Sequence, residues 1–70
     1  MENLKYHVKD HVGYLSLNRP DKYNAFDGKM VDDFEQFWRD RMYDEDVRVI
    51  ILDGGEAKGF CAGLDMTRLT

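Results

Sequence analysis

The chain has 70 residues, 43% of them apolar and 34% charged, with a formal net charge of −4; this is a globular balance, not a disordered one, and it leaves room for one domain at most. The acidic excess argues against general nucleic-acid binding, which needs a basic face to neutralise phosphates, and no apolar run approaches the roughly 20 residues that span a bilayer. Cys61 is the only cysteine, so an internal disulfide is excluded and a reducing, cytoplasmic setting is expected, with no leader-like apolar region in the opening residues.

Size limits stability. A chain this short rarely gains more than about 3–5 kcal/mol from a single core, and one cysteine offers no covalent staple. A partner, or a longer polypeptide around this segment, is therefore expected.

In chain order, "LKYHVKD" alternates Leu4, Tyr6 and Val8 against Lys5, His7 and Lys9, the period of a half-buried strand. "HVG" is expected to turn the chain, and "VGYLSLN" alternates again through Val12, Tyr14 and the pair Leu15 and Leu17, predicting an antiparallel hairpin. "NRPDKYNAFDG" is rich in turn formers, and Pro20 has no donor to give a sheet, so the chain leaves the sheet at Asn18. From Gly28 onward Met30, Phe34, Phe37, Trp38 and Met42 recur at steps of three and four, with Asp32, Asp33, Glu35, Arg39 and Asp40 mostly opposite. That spacing predicts an amphipathic helix capped by Asp27. "DVRVIILDGG" then predicts a strand over Val47 to Leu52, its run Val49-Ile50-Ile51-Leu52 suited to burial on both faces. Strand, helix and buried strand make a right-handed βαβ crossover with parallel strands. "GLDMTRLT" reads as the first turn or two of another helix without a stop signal.

In a parallel α/β arrangement ligands bind off the carboxyl ends of the strands, where "DGGEAKGFCAGLD" falls. Gly59 and Gly63 permit positive φ and close approach of a ligand to bare backbone, and amides opening a helix near Leu64 or Asp65 could hold an oxyanion. On local pattern alone, two turn glycines and a packed Cys61 explain the stretch equally well. The glycines match neither the Walker phosphate loop nor the dinucleotide fingerprint. His7 and His11 fall in a strand and a turn, so metal ligation is not expected there. The carboxylates of the helix face and its exit read as solvated, and Phe34, Phe37 and Trp38 as packing residues.

Three segments in order, "LNRPDKYNAF", "DVRVIILDGG" and "KGFCAGLDM", closely resemble the N-terminal part of the crotonase (enoyl-CoA hydratase/isomerase) family, and the likeness covers nearly the whole chain. The resemblance implies an α/β fold: an N-terminal β-hairpin plus the βαβ unit of a truncated crotonase-like (ClpP/crotonase) spiral, with residues 1–70 as the front of an acyl-CoA-binding domain. It implies that the backbone N–H of Leu64 is half of an oxyanion hole for a thioester carbonyl. It places coenzyme A, as part of the substrate and with no covalently bound cofactor, against Lys22, Tyr23, Ala25, Ala62, Gly63, Leu64 and Asp65, with Lys22 and Arg19 as possible phosphate contacts. The second oxyanion amide, the proton-moving acids and the helices that build trimers or hexamers are implied beyond Thr70, so the chain alone is expected to be inactive. Two other readings are a self-associating interaction module and a non-catalytic acyl-CoA binder.

Overall fold

A computed structural model describes residues 2–65. Three strands form one sheet in the order β1-β2-β3, with β1 at Leu4–Lys9, β2 at Val12–Leu17 and β3 at Val49–Asp53. β1 pairs antiparallel with β2 from Leu4 opposite Leu17 to Lys9 opposite Val12. β2 pairs parallel with β3 from Val12 beside Val49 to Ser16 beside Asp53. A short 3-10 turn, Pro20–Lys22, and the helix α1, Gly28–Arg41, lie between the parallel strands, giving the expected strand-helix-strand unit after a hairpin.

The hairpin turns one step earlier than "HVG" implies. Asp10 and His11 both have positive φ, 52° and 65°, and Lys9 faces Val12 directly, the geometry of a two-residue turn whose twist matches the strands. Gly13 lies within β2 instead, where a Cβ would come within 2.5 Å of the Tyr6 hydroxyl oxygen. Its missing side chain makes room for Tyr6.

Alternation decides which face is covered. Leu4 and Tyr6 share a face with Leu17 and Leu15 across the hairpin, and α1 sets Met30 and Phe37 against them, so Leu4, Leu15, Leu17, Met30 and Phe37 form the buried core. Tyr6 meets Phe37 edge-on at 4.8 Å, and the Arg41 guanidinium closes over both rings, shielding aromatic area with its planar cation. Asp27 caps the helix as expected: its Oδ1 accepts from the Met30 N–H at 2.9 Å.

Two expectations of burial do not hold. β3 runs over Val49–Asp53 rather than from Val47, and only Ile50 of its apolar run packs on the core, while Val49 and Ile51 are 56% and 46% exposed. The helix covers one face of the sheet, and Val49 and Ile51 lie on the other. Trp38 and Met42 are likewise exposed at the far end of the helix, because the three-strand sheet is too narrow to fill the whole apolar stripe. The second helix expected over "GLDMTRLT" falls mostly outside the described residues.

One side chain pins the loops that follow the strands. Asn24 is fully buried and has φ 57°, a left-handed conformation that asparagine tolerates better than most residues. Its Oδ1 accepts from the Arg19 N–H at 2.8 Å, and its Nδ2 donates to the carbonyls of Gly54 and Phe60 at 2.8 and 2.9 Å. The loop after β2, the end of β3 and the approach to Cys61 therefore meet at one amide.

Asn24→Ala removes three hydrogen bonds, leaves the buried Arg19 N–H without its acceptor and puts an alanine in the left-handed region; it is expected to cost at least about 2 kcal/mol, read as a fall in the urea midpoint. Gly28 opens the helix, and a Cβ added there would meet no atom within 4 Å, so Gly28→Ala should raise stability by about 0.4–1 kcal/mol. Gly55→Ala should lower it by more, since Gly55 has φ +61° and a Cβ there would lie 2.8 Å from the Leu17 carbonyl oxygen.

Candidate functional site

Two backbone segments run side by side beyond the ends of β2 and β3. The Ala62 N–H donates to the Tyr23 carbonyl at 3.0 Å, the Phe26 N–H to the Gly63 carbonyl at 2.8 Å, and the Asp65 N–H to the Phe26 carbonyl at 2.8 Å. Phe26 and Leu64 form the parallel bridge at the centre of this pairing. In such a bridge Phe26 directs both of its polar groups at Gly63 and Asp65, so the N–H and C=O of Leu64 point the other way.

The Leu64 N–H consequently has no acceptor among the described residues, while its neighbours on either side are both engaged. The Leu64 side chain is 59% exposed and takes no part in the core. What the position offers is an aimed backbone donor. Gly63, with φ +96°, supplies a backbone conformation that L side chains rarely adopt, and so sets the direction of the peptide that carries this N–H.

Cys61 helps to hold the turn. Its Sγ lies 3.3 Å from both the Asn24 carbonyl and the Gly63 N–H, acting as weak donor and weak acceptor to two segments at once. Gly59 has open space around it and does not take positive φ; Gly55 is the other glycine that does. Close approaches in this loop occur at Gly55, near the Leu17 carbonyl, and at Gly54, where a Cβ would sit 3.0 Å from the backbone of Gly59 and Phe60.

The seven residues named from the resemblance divide by position. Tyr23, Ala25, Ala62, Gly63, Leu64 and Asp65 all lie on the paired segments, whereas Lys22 sits at the exposed end of the 3-10 turn. Arg19 does not stand beside Lys22 as a phosphate contact. It is 7% exposed, its guanidinium donates to the Ala25 carbonyl, and it lies 3.4 Å from one Asp65 oxygen and 3.8 Å from one Asp27 oxygen. A guanidinium held between two carboxylates and a carbonyl has its donors directed inward and its charge compensated. Sequence reasoning missed this, and it missed Asn24; an asparagine three residues before the helix cap, inside "RPDKYN", was the available signal for a left-handed residue that binds backbone.

Comparison with known proteins agrees with this architecture. Residues 12–70 match the family model described as Enoyl-CoA hydratase/isomerase. The chain is 39% identical over 61 residues to the (E)-benzylidenesuccinyl-CoA hydratase of Thauera aromatica, covering 87% of this chain and 24% of the relative. It is 35% identical over 66 residues to the 1,2-epoxyphenylacetyl-CoA isomerase of Escherichia coli K12, covering 94% of this chain and 25% of the relative. Among solved structures, the enoyl-CoA hydratase from Mycobacterium avium superposes with a TM-score of 0.87 at 38% identity, over 97% of this chain and 30% of that one; the enzyme from Mycobacterium tuberculosis H37Rv gives 0.86 at 36%, over 94% and 29%. The chain thus spans about a quarter of the length of the curated relatives it matches. With a family model matched over most of its length and a hairpin, crossover helix and paired loops that superpose on solved relatives, the chain belongs to the enoyl-CoA hydratase/isomerase, or crotonase, family.

Proposed function

We propose that this chain supplies part of the thioester-binding site of an acyl-CoA-processing enzyme, and that the Leu64 N–H is one of the donors that polarise the thioester carbonyl. The observation that carries the reading is the outward Leu64 N–H, without an acceptor among the described residues, between two engaged neighbours. The names of the relatives, a hydratase and an isomerase of CoA thioesters, support the substrate class.

The chemistry follows from where charge develops. Abstracting a proton next to a thioester, or adding to the conjugated double bond, moves an electron pair onto the carbonyl oxygen. A fixed N–H near that oxygen stabilises the enolate more than the ground state, and losing one such donor in an enzyme costs roughly 2.7–4 kcal/mol. Because the donor is a peptide, the Leu64 side chain is free to vary. Coenzyme A lies along the paired segments in this reading, beside Tyr23, Ala25, Ala62, Gly63 and Asp65, with Lys22 at their exposed end available to a phosphate.

The acting enzyme needs a second donor and a group that moves the proton. The family resemblance puts both after Thr70, so the 70-residue chain is not expected to hydrate crotonyl-CoA above background; measurable turnover would contradict this division of labour. In a titration of the 15N-labelled chain with crotonyl-CoA, the Leu64 amide should move downfield. Leu64→Ala should retain the response, and Leu64→Pro, which removes the N–H, should abolish the accompanying shift of the neighbouring Gly63 amide. A response that ignores the proline, or none at Leu64 in the parent chain, defeats the proposal.

A second reading, self-association, is favoured by β3: it is an edge strand among the described residues and exposes Val49 and Ile51. An open apolar edge is a template for pairing with another chain. Sedimentation should then show oligomers that form with rising concentration irrespective of CoA and that Ile51→Lys disperses; a monomer at all concentrations excludes it.

A further inference from the structure

Arg19 is charged, buried and three-way bound, yet nothing in the proposed chemistry uses it. It leaves β2 just after Asn18 and reaches forward to the Ala25 carbonyl, the Asp27 cap and the Asp65 carboxylate. These partners lie on two separate pieces of backbone: the Ala25–Asp27 segment that leads into α1, and Asp65, the residue next to Leu64.

We propose that Arg19 is a positioning residue that fixes the direction of the Leu64 N–H by clamping Asp65 to the Ala25–Asp27 segment. The inference rests on the reading of Leu64 given above. Backbone pairing alone joins Leu64's neighbours to Phe26 through two bonds at the end of an otherwise isolated bridge, and terminal pairings of this kind fray easily. The Arg19 fork adds a link from the side-chain direction. Its side chain and that of Asp65 are 8% and 12% exposed, so solvent screens the pair little. Asp27 takes part with its second oxygen while the first caps the helix at Met30. The helix start, the loop and the donor peptide are held in one network, and a planar, five-donor group is suited to span them where a lysine ammonium is not.

Amide hydrogen exchange of the 70-residue chain tests this without any ligand. In Arg19→Lys, and independently in Asp65→Asn, the Phe26 amide, which is bonded to the Gly63 carbonyl, should exchange about ten- to a hundredfold faster, while the amides of Leu15 and Phe37 in the core keep their protection. The lysine variant is the informative one, since it retains the buried charge and a merely structural cation would be rescued by it. Crotonyl-CoA is then added: the Leu64 shift seen in the parent chain should shrink in both variants. Unchanged Phe26 exchange in both variants, relative to Leu15, overturns the clamp. So does a crotonyl-CoA response at Leu64 that survives both substitutions. Absence of that response in the parent chain defeats instead the thioester reading of Leu64, with the exchange result still deciding whether Arg19 orders the segment.

Discussion

The buried amide of Asn24 is the interaction on which the loop architecture depends. An asparagine side chain carries two donor hydrogens and two acceptor lone pairs, and here three of these meet backbone groups from three different stretches of chain. An aspartate in its place would have no hydrogens for Gly54 and Phe60, and a leucine would make none of the three bonds and leave the buried Arg19 N–H without an acceptor. Because the residue also sits at positive φ, it turns the chain from the 3-10 segment into the stretch that runs alongside residues 62–65. Local conformation and long-range connection are set by the same residue.

From that pin the site's electrostatics divide in two. Arg19 directs its charge inside the molecule, between Asp27 and Asp65, where removing either sign would leave an uncompensated buried ion. Lys22, three residues on, faces solvent. Two basic residues that look alike in sequence have opposite fates because one lies under the paired loops and the other at their rim. The outward direction of the Leu64 N–H is that of a parallel bridge, in which one strand's residue bonds to both neighbours of its partner and leaves the partner's own N–H pointing outward, and Arg19 meets this bridge at the adjacent Asp65.

Burial explains where expectation and structure part. The apolar run of β3 fits a strand covered on both faces, but the single helix lies over the Leu15 face, so Ile50 packs and Val49 and Ile51 stay exposed. The same one-sided cover leaves Trp38 in an edge-on contact with Phe37 and Phe34 yet partly open to solvent. Propensity and periodicity record what a strand or helix is suited to; the count of layers around it is a property of the assembled fold.

The sequence by itself determined the elements: the alternation of Leu4, Tyr6, Leu15 and Leu17, the helical spacing of Met30, Phe34 and Phe37, the Asp27 cap and the crossover order all follow from local periodicity and capping chemistry, which act over a few residues. The three family segments likewise pointed to the enoyl-CoA hydratase/isomerase family that the comparisons show. Only the tertiary structure decided that the turn falls at Asp10 and His11, that Gly13 yields space to Tyr6, that Arg19 is buried between Asp27 and Asp65, and that Asn24 joins three loops. Each of these rests on partners distant in sequence, Arg19 and Asp65 being 46 residues apart, and the pairing of such residues is fixed when the sheet and its loops come together in space.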